Sequence, residues 1–224
     1  MTVLLVVAKA PVAGLAKTRL SPAVGARRAA RIAAAALLDT LDAVLATPGV
    51  VPVVAMVGDP ARAELAGELA AALAACTVIP QRGNDFADRL ANAHADVVPL
   101  GRSVLQIGMD TPQVSPALLA ESIDRLHAPG VDAVLGPATD GGWWAVGLRS
   151  PADARVLRSV PMSRSDTGER TRSALAAAGL SVRPLPELSD VDTMADADAV
   201  AASVPGGRFA AEVARCGVPS GARA

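Results

Sequence analysis

Residues 2–20 read TVLLVVAKAPVAGLAKTRL, and the change of character inside this stretch decides the fold. Thr2 to Ala8 is an unbroken aliphatic, largely β-branched run, the pattern of a strand covered on both faces and hence of a central strand in a parallel sheet. Pro11 and Gly14 interrupt it, Lys17, Thr18 and Arg19 follow, and Ser21-Pro22 opens an Ala-rich helical stretch. A basic loop therefore follows the carboxyl end of a buried strand, which is where open α/β sheets bind ligands.

The loop is also distinctive in composition. Of the chain's 21 basic residues, Lys9 and Lys17 are the only lysines, and no acid occurs before Asp39. An ammonium is a compact charge on a flexible stem, suited to bridging phosphate oxygens, and the guanidinium fork of Arg19 can clamp a phosphate bidentately. Lys9, Gly14, Lys17, Thr18 and Arg19 are accordingly read as a nucleotide-phosphate loop, with a merely solvated basic loop as the alternative.

The totals narrow the classes. A length of 224 residues with no Pro/Gly/Ser-rich linker fits one domain, expected over residues 1–205, followed by a short helix and tail over 206–224. The formal net charge of -1 gives no electrostatic reason to expect nucleic acid as a partner. Cys76 and Cys216 are isolated from each other and from histidines, as expected of inert thiols in a reducing compartment, so a cytoplasmic location is expected. No stretch reads as a signal peptide or membrane span, and no membrane partner is expected.

Downstream, residues 25–46 carry apolar positions at helical spacing, Val50 to Val57 is a second buried strand, Pro60 opens a helix reaching Ala75, and Val78-Ile79 is a short strand. This β-α-β-α-β series predicts a three-layer α/β/α, Rossmann-like sandwich on a mostly parallel sheet. Its first turn lacks the G-x-G-x-x-G that lets a pyrophosphate approach, which argues against a nicotinamide-dinucleotide fold of the usual kind.

Gln81, Arg82, Gly83 and Asn84 form a polar turn before a helix from about residue 85 to 98. Their amide, guanidinium and backbone groups could serve a base or ribose, and turn chemistry explains Gly and Asn equally well. His94 lies in that helix with no companion ligand and is read as structural or exposed; His127 is read as a charge partner of a helix carboxyl end. The strand Ser103 to Ile107 runs into Gly108-Met109-Asp110-Thr111-Pro112. Asp110, on an exposed turn, is read as a ligand for Mg2+ or Mn2+, against the alternative of a cap for the helix at Pro116, a role Ser115 already fills.

Asp140-Gly141-Gly142 precedes the strand Trp143 to Leu148. Asp140, Gly141, Gly142 and Trp143 are read as an acceptor-side turn, with one tryptophan lining a site and the other in the core; a plain hairpin would show the same letters. Arg164, Arg170 and Arg172 read as a solvated lid face, with closing over a phosphate as the alternative. Asp190 and Asp192 alternate around Val191, so in extended chain both carboxylates project to one side and can share a cation. Thr193 is expected to cap the helix that follows.

Taken together, K-x-P-x-x-G-x-x-K-T-R-L from Lys9, Q-R-G-N-D from Gln81, I-G-M-D-T-P, L-G-P-A-T-D-G-G-W-W-A-V-G-L and D-V-D-T resemble the bacterial GT-A-fold glycosyltransferase-like proteins of the arsenosugar-biosynthesis type, from Val3 to about Val200. More distantly the chain is similar to phospholactate or phosphoenolpyruvate guanylyltransferases. The resemblance implies a nucleotide-diphospho-sugar transferase architecture, dependence on Mg2+ or Mn2+, Lys17 and Arg19 in the phosphate loop, Asp110 as metal aspartate, Asp140 with its glycines on the acceptor side, and Asp190 and Asp192 as the second acidic pair. Trp143-Trp144 stands where many members have Tyr, and G-M-D where sugar transferases usually carry D-x-D.

Three functions fit these residues. A glycosyltransferase would use a nucleotide sugar, with Lys17 and Arg19 neutralising the departing diphosphate and Asp140 deprotonating an acceptor hydroxyl. A nucleotidyltransferase would use a nucleoside triphosphate and a small phosphorylated acceptor, releasing pyrophosphate. A non-catalytic nucleotide-binding protein is the third.

Overall fold

A computed structural model describes residues 1–217 and shows a seven-stranded sheet between helical layers. The strands are β1 (Thr2–Lys9), β2 (Val50–Val57), β3 (Thr77–Pro80), β4 (Ser103–Ile107), β5 (Ala133–Pro137), β6 (Trp143–Leu148) and β7 (Val182–Pro184). Their order is β3-β2-β1-β4-β6-β5-β7, and β6 alone runs antiparallel to its neighbours. The order reverses between β1 and β4, which opens a crevice at the carboxyl ends of those strands.

The unbroken apolar run of β1 is explained by its two coverings. Leu4, Val6 and Ala8 face a cluster containing Leu37, Leu41, Leu69, Leu119 and Leu126, whereas Val3, Leu5 and Val7 face Leu90, Ala93, Leu157 and Leu175. Helices α2 (Ala26–Leu45), α3 (Ala66–Ala74) and α5 (Pro116–His127) cover the first face. Helix α4 (Phe86–Asp96), the 3₁₀ segment Pro151–Ser159 and α6 (Thr167–Ala177) cover the second. The short α1 (Ser21–Val24) precedes α2, and α7 (Met194–Ser203) and α8 (Arg208–Gly217) close the chain.

The alanine content of α2 follows from its position. Leu37, Leu38, Leu41 and Val44 pack on the sheet, while Ala29, Ile32, Ala35 and Ala36 pack with Val200, Phe209 and Val213 of the last two helices. Small side chains let this helix be buried on two sides at once. Residues 208–217 are thus anchored helix, with Phe209 fully buried; the tail expected beyond them lies outside the described residues.

One local expectation changes. The helix predicted from Pro60 to Ala75 is a 3₁₀ turn, Pro60–Arg62, followed by α3, because Leu65 takes a left-handed conformation, φ 55°, between them. His127 stands in the last turn of α5, and its Nε2 lies 3.0 Å from the Ser103 hydroxyl and 3.2 Å from that of Thr2, tying α5 to the starts of β4 and β1. No helix among the described residues is long and apolar enough to cross a membrane.

Truncating Phe209 to Ala should cost about 3–5 kcal/mol of stability, the usual loss for a fully buried phenylalanine. Denaturant unfolding would show it as a lowered midpoint; a loss below about 1 kcal/mol would mean that α8 is not part of the packed body.

Candidate active site

Every candidate residue of the sequence reading follows a strand at one edge of the sheet. Lys9 ends β1, Gln81 follows β3, Asp110 follows β4, Asp140 lies between β5 and β6, and Asp190 and Asp192 lie beyond β7. A cleft of about 630 Å3 joins Lys9, Arg19, Asp110, Asp140, Asp190 and Asp192.

Backbone pairing past the ends of β5 and β7 brings the two distant acidic segments together. Ala138 and Leu188 form a parallel bridge, with Leu188 N donating to Pro137 O at 3.1 Å and Thr139 N to Leu188 O at 3.0 Å. Two residues further along each segment stand Asp140 and Asp190. The Gly142 N–H donates to Asp140 Oδ1 at 2.7 Å and holds that carboxylate at the cleft. Gly141 has to be glycine: its φ is 85°, and an added Cβ would stand 1.9 Å from the Ser165 carbonyl oxygen. Beyond Asp190, Val191 is buried against Leu20 and Ile32, and a capping box between Thr193 and Asp196 fixes the chain after Asp192.

Lys17 crosses this arrangement. Its backbone is left-handed, φ 46°, and its side chain is only 11% exposed. The ammonium donates to Asp110 Oδ2 at 2.6 Å and to the Val191 carbonyl, and Asp192 Oδ1 lies 3.8 Å away. Arg19, which is 74% exposed, pairs with Asp192 from the solvent side.

The structure therefore regroups the carboxylates. Asp140, not Asp110, joins Asp190 and Asp192: one ligand oxygen from each lies within 4.8 Å of the others. Asp110 lies outside that set, bonded to Lys17. Burial, with Asp140, Asp192 and Asp110 adding in that order and Lys17 opposing, pushes the Asp190 carboxyl up to about 6. Asp140, Asp190 and Asp192 form an oxygen-only donor set of three carboxylates, which suits Mg2+ or Mn2+.

The other predicted residues divide. Lys9, Gly142 and Trp143 line the cleft, as does Trp144, whose ring is otherwise buried and whose indole N–H donates to Pro186 O at 2.9 Å. Gly14 and Thr18 shape the loop but do not line the cleft, and Gly141 packs beneath Ser165. The Gln81-Arg82-Gly83-Asn84 turn does not act as one unit. Gln81 lines the cleft, whereas Arg82 spends its guanidinium on Asp96 and Asn84 is exposed beyond the lining. Arg170 and Arg172 pair with Asp166 and Glu169 on the outer face of α6, and Arg164 reaches the cleft. The sequence reading missed Phe86, Arg89 and Gln106. Gln106 carried a signal, as the single amide in the buried strand SVLQI.

This architecture, a mostly parallel sheet with its acidic cleft at the strand ends, is the GT-A-like nucleotide-diphospho-sugar transferase fold. Residues 40–164 match the family described as "Uncharacterized protein conserved in bacteria (DUF2064)", and the chain belongs to that family. A provisionally assigned nucleotide-diphospho-sugar transferase from Desulfovibrio desulfuricans G20 superposes with a TM-score of 0.82 at 26% identity, covering 97% of this chain and 99% of its own. A CMP:2-keto-3-deoxy-manno-octonic acid synthetase solved with CTP gives 0.59 at 15% identity, covering 91% and 98%. Rv0371c from Mycobacterium tuberculosis H37Rv, solved with manganese, gives 0.54 at 22% identity, covering 89% and 97%. No curated protein matches the chain.

Asp190 makes a pH prediction whose sign follows from its raised value. A carboxyl that holds its proton more tightly when folded contributes stability that is complete below its ordinary value of 3.8 and is lost as pH rises through about 6. Asp190→Asn should therefore stabilise the metal-free protein at pH 8 by about 1 kcal/mol, after discounting for solvent screening, and leave it unchanged at pH 3. Denaturation at the two pH values checks this, and an equal change at both would contradict it.

Proposed function

We propose that the chain is a divalent-metal-dependent, nucleotide-utilising transferase that moves a sugar from a nucleotide-diphospho-sugar to the hydroxyl of a small-molecule acceptor. The observation that carries this reading is the convergence of Asp140, Asp190 and Asp192 in the same cleft as Arg19 and Lys9, with Lys17 bonded behind it to Asp110 and the Val191 carbonyl. The 26%-identical neighbour, covered over 99% of its chain and provisionally assigned as a nucleotide-diphospho-sugar transferase, supports it.

Asp140, Asp190 and Asp192 would hold Mg2+ or Mn2+, which supplies positive charge for a diphosphate as negative charge develops on it. Lys17 sets the spacing of the site by holding Asp110 and the segment carrying Asp192. Arg19 and Lys9, on exposed stems at the rim, donate hydrogen bonds to phosphate oxygens. Asp140, reassigned to the metal, is replaced as base by Asp110: Lys17 takes its Oδ2 and leaves Oδ1 for the acceptor. The acceptor hydroxyl oxygen forms the new bond to the anomeric carbon, the bond from that carbon to the diphosphate oxygen breaks, and the proton passes to Asp110.

Nucleotidyl transfer is the competing chemistry, and the basic first loop would serve a triphosphate in it. Lys17 is taken up by Asp110 and the Val191 carbonyl, which leaves Arg19 and Lys9 as the loop's cations for either a diphosphate or a triphosphate.

Incubation with Mg2+ and separate pools of nucleotide sugars and nucleoside triphosphates decides between them. Release of a nucleoside diphosphate with a glycosylated product is the expected result. Pyrophosphate release dependent on a phosphorylated acceptor would replace glycosyl by nucleotidyl transfer, and turnover of neither pool would overturn the transferase reading.

The roles of two carboxylates separate in a second measurement. Asp110→Asn should lower turnover by about 100-fold or more while leaving Mn2+ affinity unchanged. Asp140→Asn should weaken Mn2+ binding by about tenfold or more, measured calorimetrically. The reverse pattern would return Asp110 to the metal and Asp140 to the acceptor.

A further inference from the structure

The lining of the cleft holds a group that the chemistry above does not use. Gln106 of β4 is 2% exposed, yet it lines the cleft. Its Oε1 lies 2.9 Å from Nε2 of His94, a fully buried histidine on α4. The other ring nitrogen, Nδ1, has no partner among the described residues. A buried orphan N–H is rarer and costlier than a buried orphan lone pair, so the proton belongs on Nε2, which donates to the Gln106 carbonyl. Burial lowers the His94 value to about 4, so the ring is neutral at physiological pH.

This fixes the amide the other way round at the cleft. With its oxygen held by His94, Gln106 presents its NH2, which makes no hydrogen bond to the described residues. Gln81 is fixed in the opposite sense. Its NH2 donates to the carbonyls of Ala8 at 2.8 Å and Ala55 at 2.9 Å, leaving its carbonyl oxygen as the free group. Phe86, on the first turn of α4, lines the same cleft and is 46% exposed. An exposed aromatic face, one amide locked as donor and another locked as acceptor are what a flat heterocycle with paired donor and acceptor edges requires.

We propose that Phe86, Gln81 and Gln106 form the subsite for the nucleobase of the donor: Phe86 stacks on its face, Gln106 donates to a ring carbonyl or ring nitrogen, and Gln81 accepts from an adjacent N–H. His94 is the positioning residue that keeps Gln106 a donor. The assignment rests on the nucleotide-utilising reading above and adds which residues read the base.

Calorimetry with Mn2+, comparing four nucleoside 5′-diphosphates with inorganic pyrophosphate, tests it. The wild type should bind at least one nucleoside diphosphate more tightly than pyrophosphate. Phe86→Ala, at a half-exposed position that does not threaten the fold, should weaken that nucleotide by about tenfold, and the near-isosteric Gln106→Met by a similar factor, with pyrophosphate unaffected in both. His94→Leu should narrow the ratio between the best and worst base, because the freed amide can turn either group to the ligand. Unchanged nucleotide affinity in the Phe86 and Gln106 variants, or an equal loss for pyrophosphate, would overturn the base subsite alone. A wild type that binds no nucleoside diphosphate would instead overturn the nucleotide-utilising reading itself.

Discussion

The site depends on where one ammonium group sits. Lys17 comes from the loop after the first strand, and it bonds Asp110 after the fourth strand and the Val191 carbonyl after the seventh. Three segments that are distant in the chain are thereby held at one sheet edge. The ion pair is partly shielded, with the lysine side chain 11% and that of Asp110 34% exposed, so it is less open to screening than a fully exposed surface pair. A lysine so placed does two things. It occupies Asp110 while lying 3.8 Å from Asp192 Oδ1, and it leaves Asp140, Asp190 and Asp192 as a compact oxygen-donor set.

The sheet makes that convergence possible. Order reversal between β1 and β4 opens the crevice, and the antiparallel β6 returns the chain so that the Asp140 turn lies at the same edge as the carboxyl ends of its parallel neighbours. The bridge from Ala138 to Leu188 then extends the β5–β7 pairing by one more step and delivers Asp190 beside Asp140. Packing supports it from below: Val191 sits in the same cluster as Leu20, so the first loop and the last acidic segment share one hydrophobic anchor.

Much of this was legible in the letters. The uninterrupted apolar run of β1, the edges of Ser103–Ile107 and Trp143–Leu148, and the caps at Ser115 and Thr193 are local signals, and the structure has each of them. What was not legible is the result of pairing at long range. Nothing near Asp140 announces that it will share oxygens with Asp190, because the bridge that joins them involves residues from two segments with no common pattern. Lys17 read as an open phosphate ligand for the same reason: its carboxylate partners lie 93 and about 175 residues further along the chain. The Leu65 break in the helix predicted from Pro60 depends on a left-handed backbone that Leu does not advertise.

The chemistry of the cleft turns on which carboxylates share a cation. Anomalous diffraction from a crystal grown with Mn2+ locates that ion directly. A single peak bounded by Asp140, Asp190 and Asp192, with Lys17 still on Asp110, is the predicted result; a peak on Asp110 with Lys17 displaced, or no peak at the carboxylates, would contradict it.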